Sequence, residues 1–144
     1  MIGLDTSFLV GLSIREHPAH RPCWLLFEQQ IRGQAGSCAL APQVLSEFAH
    51  VVTDPRLFEK PLPMPEALDI CRQWSRAEEC RSISPGPEAV AVFLNWMHQH
   101  ALGRKRLLDT LLAATYYSAG VTRIVTTNWR DFAQFGVFSQ EVLN

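Results

Sequence analysis

The sequence opens with the short apolar run Met1-Ile2-Gly3-Leu4, and Asp5-Thr6-Ser7 follows it directly. An apolar run of this length, bounded by polar residues, is typical of a buried strand. A second such run, Ile124-Val125-Thr126-Thr127-Asn128, precedes Asp131. In open α/β sheets, functional groups collect beyond the carboxyl ends of the strands. The sequence therefore predicts that Asp5, Asn128 and Asp131 lie at the same edge of one sheet.

Two more carboxylates occur in apolar surroundings. Glu47 has helical spacing with Val44 and Val51, which places it on a predicted buried face. Asp109 lies in the first turn of a predicted helix, just before the run Leu111-Leu112-Ala113-Ala114. Acidic side chains are almost never fully buried unless they are paired. A divalent metal shared by these acids would provide such a pairing.

Each of these polar residues also has a simpler explanation. Asp5 can cap a helix N-terminus, and Glu47 can form a salt bridge with an arginine. Asp109 is favourable near a helix N-terminus because of the helix dipole. Asn128 and Asp131 are common turn residues. The simpler explanations lose weight only if the fold brings the carboxylates together.

The expected chemistry follows from charge repulsion within such a cluster. Two carboxylates about 4 Å apart repel by about 4 kcal/mol at an effective dielectric constant of 20. A cation would keep them ionised, and a set of oxygen ligands favours Mg²⁺ or Mn²⁺. Such an ion activates a bound water and polarises a phosphodiester. The cluster therefore predicts metal-assisted hydrolysis of a nucleic-acid backbone.

The composition limits the class of protein. The chain has 144 residues, 47% of them hydrophobic, and we expect a single domain spanning residues 1–144. No apolar run approaches the roughly 18 residues of a membrane span, and no signal peptide is visible, so we expect a cytoplasmic location without membrane attachment. The four cysteines form no C-x-x-C pair and are predicted to be buried or half-buried thiols. His17 and His20 flank Pro18, which predicts a loop or a helix edge.

Strands and helices are predicted to alternate along the chain, which indicates a parallel sheet covered by helices on both faces. The proline-rich segment 54–65 predicts a loop. We expect strands at 1–4, 38–41, 121–126 and 137–138, helices at 19–32, 42–53, 65–80, 87–101 and 107–119, and one or two helical turns at 129–135. The predicted buried faces comprise Leu68, Cys71 and Trp74 or Ser75 in one helix, and Val90, Phe93, Leu94 and Met97 in the next.

The net charge of −1 does not by itself indicate a nucleic-acid binder. Basic residues nevertheless adjoin two of the acidic segments. We expect these side chains either to be solvated loop charges or to steer an RNA phosphate towards the acids; they are Arg104, Lys105, Arg106 and Arg130.

Four stretches together resemble the PIN-domain family, most closely its VapC-type toxin branch. They are Ile2-Gly3-Leu4-Asp5-Thr6-Ser7-Phe8-Leu9, Val44-Leu45-Ser46-Glu47-Phe48, Leu107-Leu108-Asp109-Thr110-Leu111-Leu112-Ala113-Ala114-Thr115 and Val125-Thr126-Thr127-Asn128-Trp129-Arg130-Asp131-Phe132. The resemblance implies a three-layer α/β/α fold with a mostly parallel sheet of about five strands. It also implies a Mg²⁺- or Mn²⁺-dependent endoribonuclease, the toxin of a type II toxin–antitoxin pair, with a small antitoxin protein as partner and frequent homodimerisation.

The resemblance assigns roles to individual residues. Asp5 and Asp109 match the principal metal ligands, and Glu47 matches a third acid that often acts through water. Many members of the family have an aspartate where this chain has Asn128. Asp131 lies one turn further on, and it either substitutes as the fourth acid or only anchors the loop beside Phe132. The implied catalytic residues are therefore Asp5, Glu47, Asp109 and Asp131, with Ser7, Thr126 and Asn128 as supporting polar groups.

Other functions were weighed against this one. The departure at Asn128 keeps open a non-catalytic PIN-like module that binds RNA or protein without cutting. A haloacid-dehalogenase-like phosphatase would require a second aspartate where Ser7 stands. A response-regulator receiver would require an acidic pair and a late lysine, and neither is evident in the sequence.

Overall fold

The computed structural model describes residues 1–143 and contains one sheet of five parallel strands. Strand order across the sheet is β3-β2-β1-β4-β5, so the first strand of the chain is the central one. The three-layer α/β fold predicted from the sequence is confirmed. The strands are β1 (Ile2–Leu4), β2 (Cys38–Leu40), β3 (Cys80–Ser82), β4 (Arg123–Val125) and β5 (Ser139–Glu141).

Helices connect consecutive strands, as parallel pairing requires. Residues 27–31 extend the second helix as a π-helical turn, and residues 104–106 form a 3₁₀ turn before the sixth helix. No helix among residues 1–143 is long and apolar enough to cross a membrane. The helices of the described chain are α1 (Thr6–Ser13), α2 (His20–Leu26), α3 (Pro42–Val52), α4 (Met64–Arg76), α5 (Pro87–Gln99), α6 (Leu107–Ser118) and α7 (Arg130–Ala133).

The central strand β1 is buried on both faces and pairs with β2 on one side and β4 on the other. A strand covered by helices on both faces needs apolar side chains at every position, which explains its continuous apolar sequence. Gly3 is required because Tyr116 of α6 packs directly against its Cα. The close packing at Gly3 fixes α6 against β1, two residues before Asp5.

Tyr116 links the carboxyl ends of β1 and β2 through its hydroxyl group. Its side chain is fully buried, and burial raises the pKa of its phenol well above the usual value. The hydroxyl donates to the carbonyl of Leu4 (2.6 Å) and accepts from the backbone N–H of Ala41 (3.2 Å). Both backbone groups lie where a strand ends, so the tyrosine fixes the strand edge that carries Asp5.

The Tyr116→Phe substitution is expected to lower the free energy of unfolding by about 1–3 kcal/mol, because it leaves two buried backbone groups without their partner. The measurement is urea denaturation followed by circular dichroism. Tyr117→Phe is the matched control, since Tyr117 is 44% exposed and should unfold like the wild type. Equal stabilities of the two variants would contradict the structural role of Tyr116.

Two predicted helix faces were wrong in part. Leu68 of α4 and Val90 and Leu94 of α5 were expected to point inward, but all three are exposed. In α5 the helix is rotated so that Ala89 and Trp96 face the core. The indole of Trp96 stacks on Phe135 with ring centroids 4.4 Å apart. The side chains of these two helices that are buried instead are Ala67, Ala89 and Trp96.

Three elements differ from the expectation. Helix α1 was not predicted, because its sequence is apolar on nearly all sides and lacks helical periodicity. Strand β3 begins at residue 80, the last residue of the predicted helix 65–80, and continues to residue 82. Strand β5 begins at residue 139, whereas a strand was expected at 137–138. Both are edge strands with largely polar sequences, Cys80-Arg81-Ser82 and Ser139-Gln140-Glu141, so they give no apolar signal.

The cysteines are free thiols that are buried or half-buried, as predicted. Cys38 and Cys80 are register partners on β2 and β3, and their Sγ atoms lie 2.9 Å apart. The hydrogen bond with Cys80, and secondarily burial, raise the pKa of the Cys38 thiol far above its usual value. These two thiols pack within the sheet, away from the polar residues that follow β1 and β4.

Candidate active site

A cavity of about 580 Å³ opens beyond the carboxyl ends of β1 and β4. The structure brings to its wall six of the polar residues that the sequence singled out, from four separate segments of the chain. They are Asp5, Ser7, Glu47, Asp109, Asn128 and Asp131. The expected convergence of the carboxylates at one sheet edge is therefore observed, and each of them has a different set of contacts.

Asp5 is the most buried of the acids, with 7% of its surface exposed. It occupies the N-cap position of α1, but its side chain does not cap the helix. Its Oδ2 atom accepts hydrogen bonds from Ser7 Oγ (2.8 Å) and Thr126 Oγ1 (2.7 Å). Oδ1 accepts no hydrogen bond from any residue of the described chain. One oxygen is thus used for orientation, and the other is available to a ligand.

The two hydroxyls are themselves held by the loop after β4. Thr126 Oγ1 accepts from the backbone N–H of Asn128 (2.9 Å), and Ser7 Oγ accepts from that of Thr127 (3.0 Å). Each hydroxyl therefore donates to Asp5 and accepts from the loop. Such partners fix the rotamer of a ligating carboxylate. Ser7 and Thr126 act on Asp5 from two chain segments that lie far apart in sequence.

Glu47 lies half-buried on α3 and has no arginine partner in the described chain. Its Oε2 atom accepts a hydrogen bond from Thr6 Oγ1 (3.0 Å). Burial, and secondarily the charge of Asp5, raise the pKa of Glu47 above the usual value, whereas the Thr6 bond and His50 act in the opposite direction. Thr6 was not predicted to be a hydrogen-bond partner of Glu47, because no local sequence pattern links residues 41 positions apart.

Asp109 is the acid whose pKa is raised most by burial and by the neighbouring carboxylates. Burial, together with the charges of Asp131, Asp5 and Glu47, raises the pKa of Asp109 to about 6. Within residues 1–143 its carboxylate accepts no hydrogen bond and forms no salt bridge, so only the distant charge of Arg106 acts the other way. A half-buried carboxylate that faces three others and has no partner of its own is the type of group that a cation stabilises.

Asp131 is held differently from the other three acids. It lies in the first turn of α7, and its Oδ1 atom accepts a hydrogen bond from the guanidinium of Arg106, which is also its salt-bridge partner. Its charge is therefore largely compensated, unlike that of Asp109. Asn128 also faces the cavity, and its carbonyl accepts from the backbone N–H of Asp131 (3.1 Å).

The remaining basic residues do not form part of this wall. Arg104, Lys105 and Arg130 are exposed, and the described residues that line the cavity do not include them. Arg106 reaches the site only through Asp131. Of the four bases that were candidates for steering phosphate, Arg106 is thus placed by its contact with Asp131, and the other three are exposed. Arg104 and Lys105 directly precede Arg106 in sequence, and Arg130 directly precedes Asp131.

The donor set suits a hard divalent cation. Within residues 1–143, no group of three or more acidic, histidine or cysteine side chains is arranged so that it could hold a metal ion by itself. Mg²⁺, however, keeps several waters and is usually bound through one or two carboxylates plus substrate oxygens. The unpaired Oδ1 of Asp5 and the unpaired carboxylate of Asp109 provide that number. The residues present therefore fit Mg²⁺ or Mn²⁺.

The cavity has a second, apolar half. Helix α1 contributes Val10 and Ile14 to it, one and two turns beyond the acidic end. Helix α3 contributes Val51, one turn beyond Glu47, and the turn after α3 contributes Leu57 and Phe58. The sequence analysis assigned no function to this surface.

A further part of the cavity wall comes from the segment between α1 and α2, and it is formed by Glu16, His17 and Pro18.

Comparison with known proteins gives matches that span the chain, although no protein-family model matches it. Two curated relatives, both named Ribonuclease VapC24, come from Mycobacterium tuberculosis strains CDC 1551 / Oshkosh and ATCC 25618 / H37Rv. Each is 28% identical over 137 residues, which cover 94% of this chain and 92% of the relative.

Two solved structures share the fold. Mycobacterium tuberculosis VapC20, described as a sarcin-ricin loop cleaving toxin, superposes with a TM-score of 0.73 and 16% identity, and the match covers 100% of both chains. VapBC-1 from nontypeable Haemophilus influenzae superposes with a TM-score of 0.65 and 13% identity, and it covers 98% of this chain and 97% of that one.

Proposed function

We propose that this chain belongs to the VapC-type branch of the PIN-domain family and that it is an endoribonuclease that hydrolyses RNA phosphodiester bonds with Mg²⁺ or Mn²⁺. Its 28% identity to the Ribonuclease VapC24 relatives over 94% of the chain supports the family assignment. The observation that carries the metal dependence is the state of Asp109: it is unpaired, it faces three other carboxylates, and its pKa is raised to about 6. The curated relatives named as ribonucleases support the reaction class.

In the proposed reaction, Asp5 and Asp109 would hold the metal, which would supply charge stabilisation at the phosphate and a more acidic bound water. Ser7 and Thr126 keep Asp5 in one rotamer. Glu47 accepts a proton from the attacking water, and its raised pKa brings it closer to neutral pH, where proton transfer is efficient.

The fourth acid position is filled by Asp131 together with Arg106 in this proposal. The guanidinium holds the carboxylate at the cavity wall. Arg104, Lys105 and Arg130 lie nearby in sequence and raise the local concentration of the RNA backbone.

The proposal includes the biological setting. The protein acts as the toxin of a type II toxin–antitoxin pair, and a small antitoxin protein binds it and blocks the cavity. The likeness to VapC20, described as a toxin, and to VapBC-1 supports this setting. Homodimerisation is also part of the proposal.

A second candidate function is a non-catalytic PIN-like module that binds RNA or a protein. It is favoured by one observation: the family's usual aspartate is replaced by Asn128, and Asp131 is already paired with Arg106. In that case the remaining acids would bind a metal or a partner without hydrolysis.

The experiment is an RNA cleavage assay with purified protein and a panel of structured and single-stranded RNAs. We expect cleavage in Mg²⁺ or Mn²⁺, no cleavage in EDTA, and recovery when Mn²⁺ is added in excess. Asp5→Asn should cleave about 10²–10³-fold more slowly, with a melting temperature close to that of the wild type. RNA binding without cleavage in either metal would favour the module, and cleavage that persists in Asp5→Asn would contradict the site.

A further inference from the structure

The acidic and apolar halves of the cavity form one continuous path along two helices. On α1 the wall changes from Ser7 to Val10 and then to Ile14, which marks the end of the helix. On α3 it changes from Glu47 to Val51. At 1.5 Å per residue, Ile14 lies about 10 Å along α1 from Ser7. A ligand that bridges the two halves must therefore carry charge at one end and an apolar face at the other.

We propose that the apolar half is a nucleobase subsite, which holds an unpaired base of the nucleotide next to the cleaved phosphate. This inference rests on the proposed ribonuclease function and specifies its substrate: the RNA must be single-stranded or looped at the cut. With the divalent cation of the proposed function bound, a nucleotide would have the required form, since its anionic phosphate would face the cation and its base has two apolar faces. A base held in a duplex cannot enter, because its faces are stacked and its edge is paired.

The stacking surface is provided by Leu57 and Phe58. Leu57 is 63% exposed, although it is a large apolar side chain at the rim of a cavity. Phe58 is partly buried and packs against the core on its other side. Their backbone turn is fixed, since the N–H groups of both residues donate to the carbonyl of Asp54. An aromatic ring held in this way is the usual platform for an unpaired base.

His17, which also lines the cavity, provides a hydrogen-bond donor. Its Nδ1 atom accepts the backbone N–H of Ala19 (3.0 Å), so Nδ1 carries no proton and the ring N–H is on Nε2. Nε2 has no partner among the described residues. The neighbouring Glu16 carboxylate provides acceptors. A donor beside an acceptor matches the edge of a base, where carbonyl or ring nitrogen atoms adjoin N–H groups.

The test compares intact RNA with RNA that carries a single abasic nucleotide on either side of the cut. For the wild type, we expect kcat/KM to fall about 10-fold when the base that occupies the subsite is removed. In Phe58→Leu and Leu57→Ala, kcat/KM on intact RNA should fall by a similar factor, and the abasic substitution should then have little further effect. Leu94→Ala is the matched control, because Leu94 is 59% exposed on α5, outside the cavity.

A second measurement does not depend on cleavage. Short RNAs with 2-aminopurine at the same positions are titrated with protein in Ca²⁺, and stacking on Phe58 should quench their fluorescence. Phe58→Leu should reduce the quench, whereas Leu94→Ala should not. His17→Gln should reduce the differences in kcat/KM among RNAs that carry each of the four bases at the subsite position.

The possible outcomes separate this inference from the proposed function. Equal kcat/KM for abasic and intact RNA at both positions would overturn the base subsite and leave the ribonuclease standing. Without cleavage of any RNA, the fluorescence titration decides: quenching lost in Phe58→Leu would support the subsite, and no quenching in the wild type would overturn it. If the Phe58 and Leu57 variants bind the antitoxin more weakly but cleave RNA normally, the apolar half serves a protein partner and the inference is wrong.

Discussion

Replacing Asp109 by asparagine is expected to abolish most RNA cleavage and, at the same time, to stabilise the metal-free protein. Asparagine keeps the shape of the side chain but removes the negative charge that is proposed to bind the metal, so cleavage should fall about 10²–10³-fold. The same change removes the repulsion from Asp5, Glu47 and Asp131. Loss of function with a gain in stability is the behaviour of a strained functional group.

The stability gain should depend on pH in a defined direction. In the folded protein the pKa of Asp109 is about 6, above its ordinary value of 3.8. Between these two values the folded state holds a proton that the unfolded chain has released, so the stability of the wild type falls as pH rises through that window. Above pH 6 the loss is complete, and the advantage of Asp109→Asn should be largest there.

The measurement is thermal unfolding of both proteins in EDTA at several pH values, with RNA cleavage assayed in parallel. The melting temperatures should be similar near pH 4, and the variant should melt a few degrees higher at pH 8. Asp69→Asn is the control, since Asp69 lies exposed on α4 beside Arg72 and far from the other acids. A variant that melts below the wild type at pH 8 would show that Asp109 is not repelled by its neighbours.

Gly3→Ala is expected to lower the free energy of unfolding by about 1–3 kcal/mol or more, although it adds one methyl group. That methyl carbon would lie 2.8 Å from Cδ2 and 3.0 Å from Cε2 of Tyr116, and 3.2 Å from Cγ1 of Val121. The tyrosine cannot move aside easily, because its hydroxyl is bonded to the backbone of both Leu4 and Ala41. The strand must therefore shift, and Asp5 shifts with it.

Urea denaturation measures the effect, and RNA cleavage by the folded fraction measures the displacement of the site. Gly86→Ala serves as the control, since a methyl group there meets no atom of the described structure within 4 Å and the backbone φ is −98°. It should cost less than 1 kcal/mol, as expected for an alanine at a helix N-cap. Comparable losses in the two variants would mean that the contact between β1 and Tyr116 is not tight.

The sheet and the convergence of the acids were predictable because both depend on rules that act along short stretches of sequence. An apolar run of strand length ends at Asp5, another ends near Asn128, and parallel strands end at one edge. Partners across the fold were not predictable in this way. Thr6 binds Glu47 across 41 positions, and Tyr116 joins Leu4 to Ala41, and no local pattern specifies either contact.

Helix faces and the apolar half of the cavity were missed for a related reason. Periodicity indicated Val90 and Leu94 as core residues, but packing against α6 selected Trp96 instead, which fills more space beside Phe135. Leu57 lies in a loop with no periodicity at all, so its place on the cavity wall depends on how the turn after α3 folds back over α1. Such information lies in tertiary structure alone.

The bond between Asp5 and Thr126 spans 121 positions, and it has a consequence for protein synthesis. While a ribosome is still making the middle of the chain, β1 has no β4 beside it and Asp5 has only one of its two hydroxyl partners. An unfinished polypeptide therefore cannot assemble the acidic cavity, however well its early helices have formed. If the cavity cuts RNA, as proposed, the nascent chain cannot do so until translation has passed β4 and the Thr126 that follows it.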